Sequence, residues 1–141
     1  MSVFSGIDYI QKRGITLGGR IVLRNPVINR VAAAINVTGT ILANQLAGGL
    51  ITSTSAAAVT ATLPTASLLA TEVKASRGTS VDFVVDNTAG ANTVTVAVGT
   101  GIVTASAVLT GANTLTVASG AIGVFKIVFS STTAALLYRV G

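Results

Sequence analysis

Apolar and polar residues alternate in short stretches from about residue 37 to the end of the chain. In Ser80–Asp86 the side chains of Val81, Phe83 and Val85 share one face, a period of two that is typical of a β-strand. The same alternation recurs in residues 59–63, 94–98, 124–129 and 136–140. The apolar faces predict a core made of Val81, Phe83, Val85, Val94, Val96, Phe125, Ile127, Phe129, Leu136 and Tyr138.

Turn-forming residues separate these stretches. Asn87–Asn92 and Ser130–Thr133 have the composition of turns. Residues 65–70, which follow Pro64, interrupt the alternation and are predicted to form one helical turn. Strands at roughly ten-residue spacing are typical of antiparallel sandwiches and barrels. We therefore predict an all-β fold in which residues 37–141 form one antiparallel, jelly-roll-like β-sandwich, with about eight strands at that spacing.

Residues 1–36 have a different pattern. Glycines and Pro26 divide them into apolar pieces too short for a helix, such as Ile15-Thr16-Leu17 and Ile21-Val22-Leu23. Residues 1–30 carry five basic side chains against Asp8, a net charge of +4 out of +5 for the whole chain. This composition favours an extended basic N-terminal arm that lies on another surface. The alternative is a first hairpin packed on its own domain.

The composition indicates a thin core. Half of the 141 residues are hydrophobic, but only 4% are aromatic and 9% are charged. Most of the apolar side chains are Ala and Val, and small side chains each bury little area at about 25 cal/mol per Å². We therefore expect subunit contacts to complete the stability of the fold, which makes an oligomer the expected state.

Several classes of chemistry are excluded by residue type. The chain has no Cys and no His, so zinc sites, thiol nucleophiles and Ser–His pairs are absent. Asp82 and Asp86 on one strand would lie ~13 Å apart, too far for a glycosidase pair. Solvated carboxylates are the favoured interpretation, and a divalent cation bound by these two residues is the alternative. We expect no catalytic residue, no cofactor and no resident metal.

Three weaker signals do not change this expectation. Gly18-Gly19-Arg20 lacks the Gly-Lys-Ser/Thr ending of a phosphate loop. Lys74 and Ser76 could act as a catalytic Ser–Lys dyad only beside an oxyanion hole, and no residue nearby indicates one. A polar loop is therefore the favoured interpretation of this segment. Few aromatics and dispersed charges do not favour nucleic-acid binding.

Thr, Ser, Asn and Gly interrupt every long uncharged stretch, which argues against a membrane helix, and no signal peptide is recognisable.

The region from about residue 40 to the end resembles a known family. The segments that carry the resemblance are residues 45–55 (QLAGGLITSTS) and 59–66 (VTATLPTA), with GTSVDF at 78–83, NTAG at 87–90, VGTG at 98–101 and AALLYRV at 134–140. They resemble small jelly-roll proteins of virus particles, namely the capsid decoration (cement) proteins and related fibre modules of tailed bacteriophages. Residues 1–40 have no counterpart in this pattern.

The resemblance implies a non-enzymatic virion protein that sits as a homotrimer on the capsid surface and binds the major capsid protein. The basic arm would supply docking, with its charges facing acidic groups and its apolar side chains filling grooves. A receptor- or glycan-binding module of a tail fibre or head fibre is the alternative. The predicted docking residues are Phe4, Tyr9, Lys12, Arg13, Arg20, Ile21, Leu23, Arg24 and Arg30.

Overall fold

The computed structural model describes residues 30–105 and 115–141. These residues form ten strands: β1 Val31–Ala34, β2 Gly39–Thr40, β3 Gly49–Thr52, β4 Val59–Thr62, β5 Ser80–Asp86, β6 Val94–Ala97, β7 Ile102–Thr104, β8 Thr116–Val117, β9 Ile122–Ser131 and β10 Ala134–Arg139. Two short helices, α1 Ala43–Ala47 and α2 Ala66–Val73, interrupt the strands. The chain is therefore rich in β-structure, as the alternation predicts.

The strands form two sheets. The larger sheet has the order β1-β3-β5-β9-β10-β7, and the smaller has the order β2-β4-β6-β8. The first six strands alternate between the two sheets, and each of the first four pairs in parallel with the strand two places later in its own sheet. Residues 31–97 therefore wind as three coils, each with one strand in either sheet. We call this part the winding.

The antiparallel prediction is wrong for most of the pairs. Among the described residues, five of the eight strand pairings are parallel, and only β5–β9, β9–β10 and β6–β8 are antiparallel. The prediction failed because side chains alternate with a period of two in both kinds of pair. The pairing of strands depends on the path of the connections, which the alternation does not record.

The connections of the winding differ at its two sides. Short loops lead from the larger sheet to the smaller one, whereas α1 and α2 lie on the two returns and pack against each other. Helix α2 begins where Thr65 accepts a hydrogen bond from the Leu68 amide at 3.2 Å. It ends at Lys74, which adopts the left-handed conformation with φ of 51°. The helical turn expected after Pro64 is therefore confirmed and extends to Val73.

One core fills the space between the sheets. Eight of the ten predicted core residues are buried there, and the rings of Phe83 and Phe125 stack with their centroids 5.2 Å apart. Leu136 and Tyr138 are the two errors, because Ala135 and Leu137 are buried instead. Because Leu136 and Leu137 are adjacent, the sequence did not determine which face of β10 points to the core. The phase is set by pairing, since Leu137 lies opposite the inward-facing Ile127.

The described part of the predicted arm belongs to the domain. Residues 31–36 fall within the predicted arm, but they form β1 and the start of the turn after it. The Ile35 amide donates to the Thr52 carbonyl at 2.9 Å, which extends the ladder between β1 and β3. The remaining arm, residues 1–29, lies outside the described residues.

Candidate interaction surfaces

Arg30 is the one predicted docking residue within the described part of the chain, and it binds its own domain. Its guanidinium donates to the carbonyl of Gly49 at 2.8 Å and to that of Asp82 at 3.3 Å. Gly49 has a φ of 78°, and a Cβ there would overlap the guanidinium. The other predicted docking residues, Phe4, Tyr9, Lys12, Arg13, Arg20, Ile21, Leu23 and Arg24, lie outside the described residues.

Within the described residues, an apolar groove lies at the outermost edge of the first coil, beside β1 and β2. It encloses about 300 Å³ between β1 and β2. The small residues Ala33 and Gly39 line its floor. On its rim lie Val37, which is 75% exposed, and Leu42, which is 59% exposed. We call this surface the open-end groove. A repeating coil normally covers its apolar end with a terminal cap, so the groove has the character of a binding surface.

The outer face of the larger sheet is also apolar. Cross-strand pairing aligns Leu50, Val84 and Val124 in one row and Val128 with Leu136 in another. All five are partly exposed, although they lie on the face opposite the core. We call these residues the outer-face patch. A signal for it was present in the sequence, because β5 and β9 carry apolar side chains on both faces, which is typical of a strand that is covered on both sides.

A polar row separates the two apolar rows of this face. Lys126 pairs with Asp82 at 3.6 Å, and the next residue in the row is Tyr138. Because both charged side chains are exposed by more than 40%, this pair contributes at most ~1 kcal/mol of stability. The pair also bears on the specificity of recognition, since it places one positive and one negative group at a fixed spacing within an apolar surface.

The carboxylates considered for a cation site have other partners. Asp82 faces Lys126. Asp86 accepts hydrogen bonds from the Thr88 hydroxyl at 2.6 Å and the Thr88 amide at 3.0 Å, and these bonds lower the pKa of Asp86 below its ordinary value. Within residues 30–105 and 115–141, no three acidic, His or Cys side chains cluster as metal ligands.

Asn87 is a buried polar residue that the turn composition did not reveal. Its side-chain amide donates to the carbonyls of Asn92 at 2.7 Å, Val117 at 3.1 Å and Ala118 at 3.0 Å. Since β5 ends beside it and Val117 lies in β8 of the other sheet, Asn87 connects the two sheets. This residue fixes the shape of one end of the sandwich; it is not placed to act on a ligand, because it is fully buried.

Searches for related proteins add no family. No protein-family model, no curated protein and no solved structure gives a significant match to the chain. In the part of the chain that the structure describes, no helix is long and apolar enough to cross a membrane. The candidate surfaces are therefore interpreted from their own geometry and chemistry.

Proposed function

We propose that this protein is a non-enzymatic virion component that decorates and stabilises a viral capsid as a homotrimer. The observation that carries the proposal is the resemblance of residues 40–141 to decoration proteins, combined with a composition that lacks His and Cys. The resemblance lies in the sequence segments and not in a jelly-roll topology, which the mixed strand pairing does not reproduce. The major capsid protein is the proposed partner.

The outer-face patch supports the oligomeric part of the proposal. Two apolar rows on one sheet face give a surface that a second copy of the chain can cover, with the Lys126–Asp82 pair setting the register. Burial of such rows stabilises an assembly by ~25 cal/mol per Å². A thin core of small side chains gains proportionally more from this contact than an aromatic-rich core would.

The basic N-terminal residues supply the capsid contact in this proposal. Lys12, Arg13, Arg20 and Arg24 carry most of the net charge of the chain. Exposed ion pairs are each worth ~0–1 kcal/mol, so docking depends on many contacts repeated over neighbouring subunits of the lattice. Arg30 is excluded from this role because its guanidinium is bound to backbone carbonyls of its own domain.

Locating the protein on virus particles tests the proposal. Gold-labelled or fluorescent protein is added to particles that lack it, and its position is imaged. A regular lattice over the shell is the expected result. Label confined to the tail or to the vertices would reject decoration and favour the fibre-module alternative.

Two charge variants, one at the N-terminus and one on the domain surface, test the docking residues. Replacing Lys12, Arg13, Arg20 and Arg24 together by Gln is expected to weaken particle binding at least tenfold. The control replaces the exposed Lys74 and Arg77 by Gln, which changes charge away from the N-terminus. Equal binding of the two variants would show that the N-terminal charges do not dock the protein. Partial retention of binding at high salt is expected, since apolar contacts are not screened.

A further inference from the structure

One apolar row crosses the outer face of the larger sheet from β3 to β10. Strand pairing aligns its members in the order Leu50, Val84, Val124 and Val140. Val140 ends the row, because its amide donates to the Val124 carbonyl at 2.8 Å. Its side chain is 62% exposed and lines a groove of about 520 Å³ together with Lys126 and Val128 of the same face. We call these four aligned residues the long row.

The polar row lies beside the long row, two residues further along the strands. It contains Asp82 on β5, Lys126 on β9 and Tyr138 on β10. The acid and the base are therefore on neighbouring strands, with Lys126 Nζ and Asp82 Oδ1 3.6 Å apart. Both side chains are more than 40% exposed, so each retains surface for a second partner.

A two-fold contact between identical faces restricts the order of the residues on them. In such a contact, residue i of one copy meets residue j of the other, and j meets i. Apolar residues must therefore lie on both sides of the axis, and an acid on one side requires a base on the other. The line between β5 and β9 meets both conditions. It leaves two apolar residues of the long row on each side, and it separates Asp82 from Lys126.

Other two-fold axes in the plane of this face match the charges less well. An axis along β9 would place Lys126 against Lys126 of the other copy. An axis across the strands, along the polar row, would bring each charged side chain against its own counterpart. An axis between β9 and β10 would place Lys126 against Tyr138 and would leave both charges without an opposite charge in the other copy. Because like charges oppose association, charge complementarity selects the axis between β5 and β9.

We propose that two copies of the chain pack through the outer faces of their larger sheets, about a two-fold axis that runs parallel to the strands between β5 and β9. The two sheets then form aligned layers about 10 Å apart. Asp82 of each copy lies against Lys126 of the other. Leu50 of each copy lies against Val140 of the other, beside the groove that Val140 lines.

This inference rests on the self-association in the proposed function and specifies its symmetry. The apolar long row is buried between the copies, and the polar row supplies two pairs of opposite charges across the axis. Because a two-fold contact joins copies in pairs, it links copies of different trimers within a trimeric assembly.

A charge exchange between two variants tests the pairing across the axis. In K126E and in D82K, like charges face each other across the proposed axis. Each variant alone is therefore expected to self-associate at least tenfold more weakly than the parent protein in sedimentation velocity. An equimolar mixture is expected to form a 1:1 complex with an affinity within about threefold of the parent, because every charge then meets its opposite.

The matched control exchanges charges outside the outer face. E72K and K74E alter exposed side chains at the end of α2, and they change the net charge by the same amounts as D82K and K126E. Each control variant is expected to associate like the parent protein, and mixing the two should gain nothing. The general attraction between oppositely altered chains is the same in both mixtures. Recovery confined to the K126E and D82K mixture therefore identifies the contact between Asp82 and Lys126.

The outcomes separate this inference from the proposals that precede it. A mixture of K126E and D82K that fails to recover would overturn the two-fold contact, and recovery as a 2:1 complex would overturn it in favour of a three-fold contact. A parent protein that stays monomeric would overturn the oligomeric part of the proposed function as well. None of these measurements uses a virus particle, so their failure is distinguishable from failure of the decoration proposal.

A second pair of variants tests the register of the contact. Leu50 and Val140 are three strands apart in one chain, ~14 Å, so they meet only across the proposed axis. V140E and L50K are each expected to associate at least tenfold more weakly, since an unpaired charge resists burial, and their mixture is expected to recover. V103K is the control, because Val103 is 58% exposed on β7 of the same sheet but does not lie opposite Val140 of the other copy. Failure of V140E to recover with L50K, or equal recovery with V103K, would reject this axis.

Discussion

Asn87 gives the sharpest test of what joins the two sheets. Its side-chain NH₂ group lies within hydrogen-bond distance of three backbone carbonyls, at 2.7 to 3.1 Å. The residue is fully buried, so water does not replace these contacts in the native fold. Its orientation is fixed, because a flipped amide would place the side-chain oxygen against the same three carbonyls.

Replacing Asn87 by Ala removes both donor hydrogens and leaves the carbonyls without that partner. Each net hydrogen bond is worth ~1 kcal/mol, and a stranded buried acceptor costs ~1–3 kcal/mol. We therefore expect the free energy of unfolding to fall by roughly 3–5 kcal/mol, as measured by urea denaturation at pH 7. A loss below ~1 kcal/mol would show that the carbonyls find other partners at little cost.

The isosteric change Asn87→Asp separates hydrogen bonding from packing. It keeps the side-chain volume but directs a carboxylate at three carbonyls, so burial and repulsion raise the pKa of the new acid above its unfolded value of ~3.9. A raised folded pKa favours the native state at low pH, and that stability is lost as the pH rises through the folded pKa. The deficit relative to the parent protein should therefore shrink between pH 7 and pH 4.

Asn92→Asp is the matched control for this pH series. Asn92 is exposed, and its side-chain oxygen accepts from the Thr93 amide at 2.9 Å. A carboxylate accepts the same bond, so little change in stability is expected. If Asn87→Asp and Asn92→Asp followed the same pH dependence, the donor role assigned to Asn87 would be refuted.

Three further changes test other parts of the structure. Val128→Glu in the outer-face patch should weaken self-association more than tenfold in sedimentation, because an unpaired charge resists burial, whereas Ser130→Glu beyond the patch should not. Thr88→Val removes the hydroxyl donor to Asp86, so the carboxyl pKa should rise in an NMR titration; an unchanged value would contradict the hydrogen bond. Gly99→Ala should lower the free energy of unfolding by ~1–3 kcal/mol, because its Cβ would overlap two backbone carbonyls; unaltered stability would contradict that packing.

The alternation alone predicted most of the core and five of the strands, β4, β5, β6, β9 and β10, whereas β1 falls within the predicted arm. Val81, Phe83 and Val85 are buried as expected, because one face of a strand must meet the core wherever period two is unambiguous. The buried face of β10 was ambiguous, because the adjacent Leu136 and Leu137 are both large and apolar and either one could point to the core. The burial of Asn87 could not be predicted for a different reason, because turn composition does not reveal which polar side chain points inward.

The interaction surfaces were harder to foresee than the core. The apolar side chains on both faces of β5 and β9 indicated a second covered face, but the resulting patch depends on neighbouring strands that are distant in sequence. The contact of Arg30 with the carbonyls of Gly49 and Asp82 likewise joins residues 19 and 52 positions apart. Local charge patterning carries no information about such partners.

The parallel pairing explains why regular strand spacing was misleading. The first four strands begin at residues 31, 39, 49 and 59, a spacing that antiparallel hairpins would also produce. In this fold each interval is half a coil, because the chain crosses to the other sheet before it returns. The offset between parallel partners is 18 residues from Val31 to Gly49 but 22 residues from Gly39 to Ala61, so it differs from one strand pair to the next. A winding is distinguished from a meander by the pairing of strands two places apart, and because the offset between those strands varies, no fixed repeat in the sequence reports it.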